Sequence, residues 1–156
     1  MIVKGIIVED FVNYKEPCMT VEFPYCDFKC DRENGSQYCQ NYALQFEDNI
    51  EISWERIAEM YVQNSITKAI VFQGLEPLMN RYELYHLIDC LRNVTDDPIV
   101  IYTGYTEEEL VDDIDLLRFF GNIIVKFGRY RPNQEPHFDE VLGVNLVSDN
   151  QYAKKL

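Results

Sequence analysis

Three short runs of β-branched and apolar residues, at positions 66–72, 98–102 and 122–127, alternate with stretches whose apolar residues recur at helical spacing. Strands that alternate with helices in this way dictate a mostly parallel sheet joined by right-handed crossovers. The helical stripes are explicit. Trp54, Ile57, Ala58 and Tyr61 follow i, i+3, i+4, i+7 spacing behind a Ser53 N-cap. Leu84, Leu87, Ile88 and Leu91 form the second stripe, opened by Asn80 with Glu83 three residues later. Leu110, Ile114 and Leu117 form the third, behind a capping box of Thr106 and Glu109, with Gly121 as its stop. Ahead of this repeat lie a β-rich segment, 2–8, and a second strand in which Met19, Val21 and Phe23 alternate with Thr20 and Glu22. That alternation predicts a half-buried strand. The tail, 141–147, offers one more strand, weakened by Gly143. A closed (β/α) barrel takes about 250 residues. With 156 residues the chain is expected to form a single α/β domain, 1–156, as an open partial (β/α) barrel.

In parallel α/β folds, the loops after the C-terminal ends of the strands build the ligand site. The distinctive sequences fall there. Cys26, Cys30 and Cys39 lie in the loop after the second strand. Gln73-Gly74-Leu75-Glu76-Pro77, Thr103-Gly104-Tyr105 and Gly128-Arg129-Tyr130 follow the next three. Thiolates this close in sequence converge on a metal or an iron–sulfur centre. A 4Fe–4S cube normally takes four cysteines, so three would leave one iron with an open position.

Bulk properties narrow the function further. Net charge is −13, from 27 acidic against 14 Lys and Arg side chains. Such a field repels phosphates, so direct binding of nucleic acid is disfavoured. No apolar run approaches the length of a bilayer span, which argues against a membrane partner. The N-terminal residues lack the pattern of a signal peptide, and a cytoplasmic location is expected. An odd count of 5 cysteines argues against a disulfide framework.

Plainer readings compete at each position. Cys18, Cys26, Cys30 and Cys39 together have the number of thiols for a structural zinc site, but the paired C-x2-C knuckles of such sites are missing. Simple buried thiols are the other alternative, and for Cys90, beside a helical stripe, core packing is expected. Gly74-Leu75-Glu76-Pro77 and Thr103-Gly104 alone resemble many strand-to-helix turns. His86 and His137 read as packing or surface residues. Lys126, Arg129 and Arg131 form a rare basic patch, either a solvated face or a contact for a carboxylate-bearing ligand or partner.

Taken in order, these segments resemble the radical S-adenosylmethionine (SAM) superfamily, and within it the activating proteins of anaerobic ribonucleoside-triphosphate reductases. Cys26, Cys30 and Cys39, with Tyr38 before the last, match the three-cysteine motif. Cys39-Gln40-Asn41 resembles the Cys-x-Asn ending of glycyl-radical activases, and Gly74-Leu75-Glu76-Pro77 resembles the Gly-Gly-Glu-Pro motif. Tyr102-Thr103-Gly104-Tyr105-Thr106 and Gly128-Arg129-Tyr130 are similar to activase segments, and so is Ser148-Asp149-Asn150-Gln151. The matches run from about Asn13 to Gln151. There are two main departures: eight residues instead of two separate Cys30 from Cys39, and Leu75 replaces the second Gly. An enlarged loop can return Cys39 to the site if it bulges outward around Gly35. Leu75 is tolerable if its φ stays negative. Phe127 stands where the family often has Asp before the later Gly.

The resemblance implies a short radical SAM fold. It also implies a 4Fe–4S cluster held by Cys26, Cys30 and Cys39, with SAM bound at the open iron. Gly74, Leu75 and Glu76 would hold the methionine end, Thr103 the ribose and Tyr38 the adenine. Reductive cleavage would give a 5′-deoxyadenosyl radical that abstracts hydrogen from a glycine of the anaerobic reductase. A low-potential donor such as flavodoxin or ferredoxin would supply the electron. No acid–base or nucleophilic side chain is required, because the cofactor carries the hard chemistry. Two alternatives stand beside this reading. One is a small radical SAM enzyme acting on a heterocycle, of the 7-carboxy-7-deazaguanine synthase type. The other is a non-catalytic iron–sulfur or zinc module that binds a partner.

Overall fold

A computed structural model describes residues 1–156. Its centre is a six-stranded sheet. The strands in chain order are β1 (Ile2–Val3), β2 (Gly5–Asp10), β3 (Cys18–Phe23), β4 (Ile50–Glu51), β5 (Ala69–Gly74), β6 (Ile99–Tyr102), β7 (Ile123–Phe127), β8 (His137–Asp139), β9 (Val144–Leu146) and β10 (Tyr152–Lys155). The helices are α1 (Lys29–Asn34), α2 (Trp54–Gln63), α3 (Arg81–Arg92) and α4 (Val111–Phe120). The sheet runs β10-β7-β6-β5-β3-β2, and β1–β4 and β8–β9 form two small separate pairs. Strands β3, β5, β6 and β7 are parallel, while β2 and β10 join antiparallel at the edges.

The predicted stripes explain the main core. Ile57, Ala58 and Tyr61 of α2, Leu84, Leu87, Ile88 and Leu91 of α3, and Ile114 and Leu117 of α4 pack on one face of the sheet. There they meet Met19, Val21, Phe23, Ile70, Phe72, Ile99, Ile101, Val125 and Phe127. Each such aliphatic side chain, fully buried, contributes about 1.5–3 kcal/mol before entropy is counted. Ser53 caps α2 by accepting from the Arg56 amide at 3.2 Å. The helices therefore cover a single face, and the free edges β2 and β10 leave the sheet open. No helix is long and apolar enough to cross a membrane.

The opposite face departs from the expectation of a half-buried β3. Thr20 is fully buried. Its hydroxyl donates to the Asp10 carboxylate at 2.6 Å. Around it Cys18, Ala69, Val71, Val100 and Ile124 meet Tyr14, Leu142 and Leu146 in a second core. The period-2 alternation holds, but the chain after β7 returns to cover Thr20 on the polar side. The tail differs for the same reason. Residues 144–146 pair with β8 as a small hairpin, not with the main sheet, and the edge strand is β10. The third strand also begins later than its apolar run suggests, at Ala69, and Ile66 is exposed. The capping box is half formed. Glu109 accepts from the Thr106 amide at 2.9 Å, but a 3₁₀ turn, Glu108–Leu110, precedes α4.

Gly74 ends β5 with φ +92°, and a Cβ there would lie 2.9 Å from the Phe23 amide nitrogen. Both the conformation and the close approach demand glycine. Gly74→Ala is expected to destabilise the fold by about 1–3 kcal/mol, seen as a lower urea midpoint; an unchanged midpoint would contradict this packing.

Candidate iron–sulfur and ligand site

The C-terminal ends of β3, β5, β6 and β7 open onto one cleft of about 370 Å³, lined by Cys26, Cys30, Cys39, Gly74, Leu75, Glu76, Thr103 and Lys126 among others. The structure thus gathers the three rim cysteines and most of the predicted ligand residues. Tyr38 is the exception. It is exposed and does not line the cleft. Its amide donates to Asp31 instead of facing inward.

The enlarged cysteine loop folds through local capping. Phe28, with φ +50°, packs its ring against Tyr42 with centroids 5.4 Å apart and starts α1, which carries Cys30. Gly35 stops α1 with φ +77°, and nothing stands within 4 Å of where its Cβ would be. The segment from Gly35 to Tyr38 is exposed, so the extra residues bulge outward. What brings the chain back is Asp31. Its Oδ1 accepts from the amides of Tyr38 at 2.8 Å and Cys39 at 2.7 Å. The Asn34 side chain donates to the Cys30 carbonyl at 2.7 Å and closes α1 from the other side. Asn41 then donates to the Gly74 carbonyl, which ties the loop to the end of β5.

Cys18 stands apart. It is fully buried at the start of β3 and does not reach the cleft. Burial pushes its thiol up to about 12. Within the cleft, burial also pushes Cys26 up to about 11, although the Phe28 amide donates to its sulfur at 3.2 Å. Cys30 and Cys39 are neighbours whose interaction holds Cys39 low and Cys30 high. Thiols ligate metals as thiolates, so loading the site releases protons. No three His, Cys, Asp or Glu side chains draw together tightly enough for a single metal ion. The three thiols instead share the lining of one cleft. Three soft donors on a shared cleft, with the fourth candidate packed in the core, fit a 4Fe–4S cube with one iron free of protein thiolate.

Beside the thiols lies Glu76. The chain leaving β5 pairs back onto the approach to the cysteine loop, with the Leu75 amide donating to the Phe23 carbonyl at 3.0 Å and the Glu76 amide to the Tyr25 carbonyl at 2.7 Å. Leu75 keeps a negative φ, as its substitution for glycine requires. The Glu76 carboxylate is buried and accepts from the Leu78 amide at 3.1 Å, the Thr103 hydroxyl at 2.8 Å and the Gly104 amide at 2.8 Å. Burial still pushes its pKa up to about 7, against those bonds and the nearby Lys126. Thr103 spends its hydroxyl on Glu76 and is itself buried.

The basic patch is not a solvated face. Lys126 and Arg129 are buried, and only Arg131 is exposed. Arg129 lies 2.8 Å from the Glu109 carboxylate, which also takes Lys29 of α1. The bond from Arg129 is the main reason Glu109 is held down to about 2. This network fastens the helix that carries Cys30 to the loops after β6 and β7, so Arg129 is not free to grip a partner. The late Ser148-Asp149-Asn150-Gln151 segment closes on the same loop. Asn150 donates to the Arg129 carbonyl at 3.0 Å and Ser148 exchanges bonds with the Arg131 backbone. Gly128, with φ +96°, makes room for it, since a Cβ there would lie 2.7 Å from the Asn150 carbonyl. Sequence alone does not single out Asp31 or Lys29, and it marks Asn41, Glu109 and Arg129 only as parts of a motif, a capping box and a basic patch, not for the contacts they make. An acid immediately after the second cysteine of a long gap is the one signal that pointed to Asp31.

An open α/β sheet whose rim gathers three thiols beside a buried carboxylate defines an iron–sulfur protein. The family described as a 4Fe-4S single cluster domain matches residues 18–146, and the chain belongs to that family. Neither a curated protein nor a solved structure matches the chain significantly.

Cys26→Ala, Cys30→Ala and Cys39→Ala are each expected to lower iron per chain sharply after anaerobic reconstitution, while Cys18→Ala keeps it. Asp31→Ala should lower it too, and Asp31→Asn, which still offers an oxygen to both amides, should retain more. Equal iron in all six variants would show that the cleft does not hold the cluster through these groups.

Proposed function

We propose that this iron–sulfur protein is a radical SAM enzyme and that it acts as the activase of an anaerobic ribonucleoside-triphosphate reductase. The observation that carries the reading is the placement of the buried Glu76 on the same cleft as three, and only three, thiols. With a 4Fe–4S cluster bound there, the chemistry supplied is one-electron reduction of the SAM sulfonium, giving methionine and a 5′-deoxyadenosyl radical. The protein's own part is to bind and orient. Cys26, Cys30 and Cys39 hold the iron, and the backbone at Gly74 and Leu75 shapes the wall beside it. Glu76 accepts the methionine ammonium, kept in place by Thr103 and Gly104. In this reading Thr103 acts on the amino end of SAM through Glu76, and the Tyr38 amide helps return Cys39 to the cleft through Asp31.

Activation of a protein substrate suits the open architecture. The sheet has two free edges and the cleft opens at its rim, so a docked macromolecule is needed to shield a radical formed there. The fold supports the partial-barrel winding of the resemblance, since α2, α3 and α4 all lie on one face. A flavodoxin or ferredoxin is the class of donor the cluster would need.

Two measurements test this. Glu76→Gln keeps the shape but removes the charge; its one oxygen can still accept from the Leu78 amide and the Thr103 hydroxyl, while the Gly104 amide loses its acceptor. It is expected to leave iron content intact and to weaken SAM binding by about 1.5–3 kcal/mol, read by equilibrium dialysis. Unchanged affinity would remove Glu76 from the ligand site. In the second, the reconstituted protein is mixed with the cognate reductase, SAM and a low-potential reductant under anaerobic conditions. Electron paramagnetic resonance should show a glycine-centred doublet. SAM cleavage without that doublet would favour the heterocycle enzyme, and a cluster indifferent to SAM would favour the binding module.

A further inference from the structure

Phe119, near the end of α4, is the most exposed large apolar side chain of the protein, at 86%. Leu116, one turn before it, is also exposed, and so is Asp112, one turn earlier again. Spacing of four and then three residues places all three on one stripe, turned away from the buried Ile114 and Leu117. Glu108 precedes them in the 3₁₀ turn that leads into α4. The stripe is thus acidic at one end and apolar at the other, with about 10 Å of helix between Asp112 and Phe119.

Beside the stripe a groove of about 440 Å³ lies between α3 and α4, with Tyr85, Glu108, Asp112 and Leu116 in its walls. Asp113 in the same groove is satisfied, since its two oxygens accept from Arg81 at 2.6 and 2.9 Å and from the Tyr85 hydroxyl. Glu107, Glu109 and Asp115 are also paired, with Lys154, with Arg129 and Lys29, and with Arg118. Glu108 and Asp112 have no cation. The dipole of α4 favours an acid in its first turn, but it gives no reason for Leu116 and Phe119 to stand bare on the same stripe. Two unpaired acids beside an exposed aromatic are complementary to a polypeptide with Lys or Arg next to an apolar anchor. A phosphate-bearing surface would be repelled. A second copy fits no better, because a two-fold axis sets the acids of the stripe against the other copy's acids or its phenylalanine.

The groove adjoins the cleft. The starts of α3 and α4 follow the ends of β5 and β6, and Glu109 in the groove wall holds Lys29 and Arg129 of the cleft lining. A macromolecule that covers the cleft can therefore extend over the groove.

We infer that the α3–α4 face docks the protein that is acted upon, through a basic segment with an apolar anchor. Its cations meet Glu108 and Asp112, and its anchor packs on Leu116 and Phe119. This rests on the activase reading above and adds to it the place and the chemistry of contact.

The test titrates the anaerobically reconstituted holoprotein with the cognate reductase by calorimetry. Leu116→Ser combined with Phe119→Ser is expected to raise Kd about tenfold or more, and so is Glu108→Lys combined with Asp112→Lys. Added salt should weaken the wild-type complex and leave the charge-reversed one little changed. Val62→Ser, which removes an exposed apolar side chain from α2, should keep the wild-type Kd. Iron per chain and reductase-independent SAM cleavage should match wild type throughout, because none of these residues lines the cleft. A complex too weak for calorimetry is read through the reductase concentration that gives half the maximal glycine-centred doublet. Wild-type affinity in both double variants overturns the groove assignment and leaves the activase reading standing. Self-association of wild type in sedimentation, lost in both double variants, assigns the face to a second copy and overturns the proposal as well. Wild type that neither binds the reductase nor raises the doublet overturns the activase reading, and this occupant with it.

Discussion

A carboxylate removed from water has to be surrounded by donors, and Glu76 recruits its donors from two strand ends at once. One bond comes from the Leu78 amide just beyond its own strand, and two come from Thr103 and Gly104 at the end of β6. These bonds fix the loop after β5 against the loop after β6. Through the Leu75 and Glu76 amides they also fix it against the approach to the cysteine loop. Asn41 then brings the far end of the cysteine loop to the same point. The parallel register of β3, β5 and β6 makes this convergence possible, because it ends all three strands at one level. The cost of burying the charge is thus spread over the whole rim.

The parallel strands and the helical stripes were legible because burial imposes periodicity, and periodicity survives in the sequence. Ile57 and Tyr61, Leu84 and Leu91, Leu110 and Leu117 all face the core their spacing implied. The site was legible for a different reason. Cys26, Gly74, Glu76 and Thr103 each follow a strand, and parallel strands end on one side. What sequence did not carry was pairing between distant residues. Thr20 is polar and yet fully buried, because Asp10 and the second core cover it. Strand β10, with Lys154 and Lys155 at a sheet edge, has the charged composition by which edges resist further pairing, and no apolar alternation marks it.

The basic residues show the limit most clearly. Lys126, Arg129 and Arg131 are close in sequence, but alternation along β7 and the turn after it send them to three environments. Arg129 braces the helix that carries Cys30 through Glu109. Lys126 faces the cleft, and Arg131 is exposed at the surface. Charge counting treats the three as one patch. Only the partners available to each in three dimensions separate a brace, a buried cleft-lining cation and a solvated side chain.

The outward bulge between Cys30 and Cys39 has a consequence for how the chain can vary. Both of its ends are clamped, by Asp31 on the Tyr38 and Cys39 amides and by Asn34 on the Cys30 carbonyl. Between the clamps, Gly35 meets no neighbour and Ser36 and Gln37 are exposed. Doubling the length of a flexible loop adds only about 0.6 kcal/mol of closure cost. This segment is therefore a graft point. Residues can be added or exchanged there, or a probe attached, without moving a thiol, so the length of the cysteine motif is set by its clamps and not by the centre it encloses.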